Sequence, residues 1–93
     1  MIQSWKSDSL KAVFEGRSPK GFPSTVINKT RRLLAQMNAV TDVEQLRVPP
    51  GNRLHALTGD LEGRWSLSVN DQYRLVFLWG ADGPEEVWFG DYH

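Results

Sequence analysis

Residues 64–79 read Arg64-Trp-Ser-Leu-Ser-Val-Asn-Asp-Gln-Tyr-Arg-Leu-Val-Phe-Leu-Trp79. Side chains alternate through the first seven positions, which predicts a strand with Trp65, Leu67 and Val69 facing one way and Arg64, Ser66 and Ser68 the other. Asn70-Asp71 reads as a two-residue turn, because both residue types tolerate positive φ. Gln72–Trp79 then places Tyr73, Leu75, Phe77 and Trp79 on one face and Arg74 on the opposite one. A hairpin apolar on one side needs something to cover that side.

The flanking segments supply both the cover and the rest of the sheet. Downstream, Asp82-Gly83-Pro84 predicts a turn, and residues 86–93 a last strand. Upstream, residues 53–57 form a strand candidate that reaches the hairpin through Gly59-Asp60-Leu61-Glu62-Gly63. Pro49-Pro50-Gly51 ends anything helical before it. Across residues 24–40 the apolar positions Val26, Ile27, Leu33, Leu34, Met37 and Val40 recur at three and four, which predicts a helix with Lys29, Arg31, Arg32 and Gln36 largely outside its stripe. Residues 8–15 predict a shorter helix, with Asp8 as N-cap and Gly16 as stop. Residues 16–23 are a connection, and residues 2–5 alternate weakly like a strand. Helices first and a strand meander second define an α+β fold, an antiparallel-rich sheet with two N-terminal helices packed on one face, and 93 residues suffice for a single domain over 1–93.

Composition narrows the function. Eleven basic and eleven acidic residues cancel, which argues against a strongly basic nucleic-acid coat protein and against an acidic disordered tail. The charges are nonetheless segregated: residues 1–58 carry nine basic and four acidic side chains, residues 59–93 two and seven. Such a dipolar chain can offer a basic face to RNA while neutral overall. With no cysteine there is no thiolate catalysis, disulfide or Fe–S cluster. No apolar run approaches ~18 residues, and the N-terminus does not read as a signal peptide, so the expectation is a cytoplasmic protein off the membrane.

Arg64, Ser66, Ser68 and Arg74 share the polar parity of their strands, and as cross-strand neighbours they would form a floor for phosphate, which guanidinium groups grip with paired hydrogen bonds. Arg74 stands out because it interrupts an apolar run. The two histidines, His55 and His93, lie at the first and last strands, and a metal site would require both to converge with Asp91. Acid–base work requires less, since one imidazole takes a proton while another group returns it. Asp91-Tyr92-His93 places a carboxylate, a phenol and an imidazole in sequence. Trp65 and Trp79 belong to the apolar parity, whereas Trp88 has the parity opposite Val87 and Phe89 and suits stacking or partner contact.

The pattern Pro49-Pro50-x-Asn52-Arg53-Leu54-x-x-Leu57-x-Gly59-Asp60-x-x-Gly63, then Trp65-Ser66-Leu67-Ser68-Val69-Asn70-x-Gln72-Tyr73-Arg74-Leu75-x-Phe77-x-Trp79, resembles the HigB toxins of the RelE superfamily. Val87-x-x-x-Asp91-Tyr92-His93 and Lys11-x-x-Phe14-Glu15 fit the same family, so the likeness spans essentially the whole chain. It implies a small curved sheet, and an endoribonuclease (mRNA interferase) that cuts mRNA in the ribosomal A site without cofactor or metal. It also implies restraint by a HigA-like antitoxin with a helix-turn-helix domain, the free toxin being a monomer and the complex a hetero-oligomer. On this likeness His55, Arg74, Asp91, Tyr92 and His93 are the catalytic set. Lys20, Lys29, Arg31, Arg32, Arg53 and Arg64 are candidates for RNA and ribosome contact. Thr58 stands where many relatives carry lysine, many members of this branch carry a carboxylate in place of His55, and the neutral charge is low for the superfamily. Two other functions fit the same residues: a module that only binds its partner, and an RNase independent of the ribosome.

Overall fold

The computed structural model describes residues 1–91 and centres on the expected hairpin. Four strands, β1 (His55–Ala56), β2 (Arg64–Ser68), β3 (Arg74–Gly80) and β4 (Gly83–Gly90), form one antiparallel sheet in that order. Helices α1 (Asp8–Phe14) and α2 (Ile27–Ala39) precede them. Leu67, Val69, Leu75, Phe77 and Val87 project from the sheet into one core with Leu10 and Val13 of α1 and Leu33, Leu34 and Met37 of α2. Each such side chain removed from water contributes about 1.5–3 kcal/mol, which is why the predicted parity of β2 and β3 decides their orientation.

Several boundaries differ from the sequence reading. The N-cap of α1 is Ser7, whose hydroxyl accepts from the Leu10 amide at 3.3 Å; Asp8 sits inside the first turn. Residues 24–26 form a 3-10 turn before α2. Thr30, which the apolar count omits, is fully buried on the α2 stripe. Residues 43–47 make a further 3-10 turn capped by Asp42 and Gln45. The strand candidate at 53–57 shortens to His55–Ala56, because Arg53 adopts a left-handed conformation at φ 50°. The β2–β3 connection is a five-residue loop, with Ser68 opposite Arg74. Its Asn70 side chain accepts from the Gln72 and Tyr73 amides at 2.8 and 2.7 Å, so asparagine builds a wider turn than the two-residue one expected. The last turn falls at Ala81-Asp82, and Gly83 and Pro84 already belong to β4.

The N-terminal segment is not a ladder strand; it lies parallel to β4 through a single bridge, Trp5 to Val87. Gln3 donates to the Pro84 carbonyl at 2.8 Å, Val87 to Ser4 at 3.1 Å and Lys6 to Val87 at 2.9 Å. These bonds cover the outer edge of β4, which would otherwise present unpaired amides and carbonyls. Within β4, Glu86 takes a positive φ of 50° where β3 and β4 slip register between Val76 and Leu78. This bulge keeps Val87 in the core and turns Trp88 to the other face.

Candidate active site on the open face of the sheet

The face of the sheet away from the helices carries the candidate site. Cross-strand register sets His55 opposite Ser66, Ser66 opposite Val76 and Val76 opposite Trp88, so these four residues form one row over all four strands. The next row toward the β2–β3 loop holds Ser68, Arg74 and Gly90. His55 and Arg74 are therefore two strands and one row apart on the same face, ~12 Å between Cα atoms at ordinary sheet spacings.

Of the four residues of the expected floor, Ser68 and Arg74 are direct cross-strand partners. Arg64 faces Leu78, Arg74 faces Ser68, and the two sit at opposite ends of the ladder. The wider loop sets Arg74 opposite Ser68, and Arg64 lies four positions further along the ladder, so the floor has two separate cationic positions. Arg74 donates to the Ser68 hydroxyl at 3.2 Å, to the Tyr73 carbonyl at 3.1 Å and to the Asn70 carbonyl, which fixes the guanidinium over the loop. Arg64 donates to Glu86 at 3.3 Å, and Lys6 lies 3.9 Å from the same carboxylate.

His55 is exposed, with Nδ1 3.2 Å from the Arg53 carbonyl oxygen. Its strand is anchored from behind. Asn52, fully buried, donates to Gln36 at 3.0 Å, to the Leu46 carbonyl at 3.1 Å and to the Val48 carbonyl at 3.2 Å, and accepts from Arg32 at 3.4 Å. Arg47 donates to the Leu54 carbonyl at 3.1 Å, one residue before His55. The hydrogen bond to Glu44 raises the pKa of Arg47 above its ordinary value, against a smaller desolvation effect, so the anchor stays charged. The Pro-Pro-x-Asn-Arg-Leu stretch thus ties β1 to α2.

Asp91 is exposed and follows Gly90, the partner of Arg74, so the chain leaves β4 beside that arginine. Tyr92 and His93, the other two members of the expected catalytic triplet, lie outside the described residues. Among the described residues no group of three His, Cys, Asp or Glu side chains could hold a metal ion, and no helix is long and apolar enough to cross a membrane.

The other basic candidates divide by location. Lys20 and Lys29 are exposed in the α1–α2 connection and on α2. Arg31, expected outside the α2 stripe, is partly buried; it donates to the Val13 carbonyl at 3.0 Å and the Arg17 carbonyl at 3.1 Å, joining the end of α1 to α2. Since α2 packs on the covered side of the sheet, the α2 cations do not share a face with His55. Lys6, Leu61 and Glu86 were not singled out by the sequence, yet Lys6 and Leu61 line a cleft of about 240 Å3 with Arg64, Val76 and Trp88. The alternation that turns Trp88 outward was the available signal; the approach of Lys6 depends on long-range pairing.

The fold defines the class first. A solved YafQ mutant from E. coli shares the architecture with a TM-score of 0.65 over 98% of this chain and 91% of that one, at 15% identity. Sequence then narrows it. The family model described as RelE-like toxin of type II toxin-antitoxin system HigB matches residues 3–93, and the chain belongs to this HigB-like toxin family. It is 46% identical over 84 residues to Toxin HigB-1 of Vibrio cholerae serotype O1, covering 89% of this chain and 87% of that one. It is also 30% identical over 93 residues to Endoribonuclease HigB of Proteus vulgaris, covering 100% of both.

Proposed function

We propose that this toxin-family chain, residues 1–93 acting as one domain, is an endoribonuclease that cuts mRNA in the A site of the translating ribosome. The observation that carries the reading is the shared open face of His55 and Arg74, with Asp91 leaving β4 beside Arg74. The full-length likeness to an endoribonuclease supports it.

RNA carries its own nucleophile. The substrate 2′-oxygen attacks the adjacent phosphorus, the bond to the 5′-oxygen breaks, and the products are a 2′,3′-cyclic phosphate (or its opened 3′-phosphate) and a 5′-hydroxyl. One imidazole, His55 or His93, takes the 2′-proton, while the other imidazole or Tyr92 protonates the departing oxygen. Arg74 stabilises the charge that accumulates on the equatorial oxygens, and Asp91 orients an imidazole. Lys20, Lys29 and Arg32 meet the ribosome from the helical side, and Arg53 and Arg64 meet RNA beside the site. Arg31 is withdrawn from that set, because its guanidinium is committed to the Val13 and Arg17 carbonyls. A HigA-like helix-turn-helix antitoxin restrains the cytoplasmic toxin, a monomer alone and a hetero-oligomer with its partner.

The test is induction in growing bacteria of the wild-type chain beside Arg74→Ala and a deletion of residues 91–93, with mapping of new mRNA 5′ ends. Growth arrest with cuts confined to translated regions, lost in both variants, is the expected result. Equal cutting of naked RNA would remove the ribosome from the reading, and normal growth with folded protein would leave a partner-binding role.

A further inference from the structure

The cleft beside Trp88 takes no part in the proton transfers just described, and of its lining only Arg64 has been given a role. Val76 forms part of its lining, Leu61 adds an apolar side chain that is 36% exposed, and Trp88 contributes an indole from β4. The indole has a built seat. A Cβ on Gly90 would overlap its six-membered ring, so glycine at that position leaves room for the tryptophan to lie along the strand. The Glu86 bulge sets the parity that brings Trp88 to this face.

Charge and position then select the occupant. Arg64, whose side chain is 20% exposed, and Lys6 share the single Glu86 carboxylate, which leaves one net positive charge at the rim. Trp88 is also the diagonal neighbour of Arg74, two residues before its partner Gly90, which puts their Cα atoms ~7–8 Å apart. That separation is of the order of the reach from a nucleobase to its own phosphate. A peptide docking here would not need a flat π surface set one step from a phosphate-binding arginine.

We propose that this cleft is a nucleobase subsite: one base of the RNA stacks on the Trp88 indole while its adjoining phosphate meets Arg74 and the continuing strand passes Arg64 at the other end of the ladder. The proposal rests on the endoribonuclease reading and names where that enzyme holds its substrate. Stacking on an aromatic side chain tolerates any base, so the subsite positions the strand without choosing its sequence.

The test uses a 2′-O-methylated trinucleotide, which lacks the attacking hydroxyl and is bound without being cut. Titrated into the purified chain, it should shift the Trp88 indole N–H resonance saturably, that signal being identified as the one missing from Trp88→Phe. Trp5, Trp65 and Trp79 serve as internal references. Trp88→Ala should weaken binding roughly ten- to a hundredfold, and Trp88→Phe much less. An unmoved Trp88 signal at millimolar trinucleotide overturns the proposal, as does an equal shift produced by an abasic analogue. Protection of Trp88 by the antitoxin with no response to the oligonucleotide assigns the cleft to protein and also overturns it. If Trp88→Ala fails to fold, the wild-type shift and Trp88→Phe affinity decide. Cleavage in cells reads the enzyme separately: cutting with an unmoved Trp88 ends only the subsite, and base binding without cutting ends only the nuclease.

Discussion

The Arg74 guanidinium donates to the Ser68 hydroxyl at 3.2 Å, directly across the β2–β3 ladder. The side chain proposed to meet the scissile phosphate is therefore also a brace of its own hairpin loop. Arg74→Ala should lower cleavage by orders of magnitude and also reduce stability by about 1 kcal/mol, since the contacts it loses are only partly buried. For a chain of this size that is a fall of about 4–8 °C in Tm. Thermal melting beside a single-turnover cleavage assay separates the two effects; cleavage that falls only in step with the folded fraction would make Arg74 a structural residue.

Asn52 binds α2, the 43–47 turn and the approach to β1 through one amide. Asn52→Ala leaves the Leu46 carbonyl inside without that donor and should cost roughly 2–3 kcal/mol in urea unfolding. Asn52→Asp should be worse, because a carboxylate would face the carbonyls that the amide now satisfies.

Glu86 holds both cations of the Trp88 cleft. Glu86→Gln should change stability by about 1 kcal/mol or less, because the Glu86 carboxylate that both pairs share is 44% exposed. It should nonetheless tighten binding of the uncleavable trinucleotide and steepen its dependence on salt, as one more cation displaces counterions from phosphate. Unchanged affinity and slope would mean that Arg64 and Lys6 do not face the RNA.

Among the described residues, the helices and strands all end by Gly90. Removing residues 91–93 should therefore leave Tm within a few degrees of wild type while abolishing toxicity. A truncated chain that still arrests growth would place the proton-transfer groups elsewhere.

The parity of residues 64–79 was legible because burial is decided locally, by which alternate side chains are apolar. Trp88 was legible for the same reason. The register was harder. Residue type at Asn70-Asp71 suggests a two-residue turn, yet the Asn70 side chain captures two amides and widens the loop, which sets Arg74 opposite Ser68 rather than Leu67. Arg31 read as a solvated cation because its acceptors are carbonyls 14 and 18 positions away. The left-handed backbone at Glu86 had no sequence signal, since glutamate there is held by the bulge and by Ser4, whose hydroxyl accepts from its amide.

The bond from Glu86 to Ser4 joins residues 82 positions apart. The edge of β4 is thus covered by a segment far from it in sequence, so the cover depends on a contact of very long loop closure. If residues 3–6 lift away, the edge of β4 loses its cover and the cleft loses the side that Lys6 supplies. One sequence-distant clasp therefore both seals the sheet and finishes the rim of the cleft.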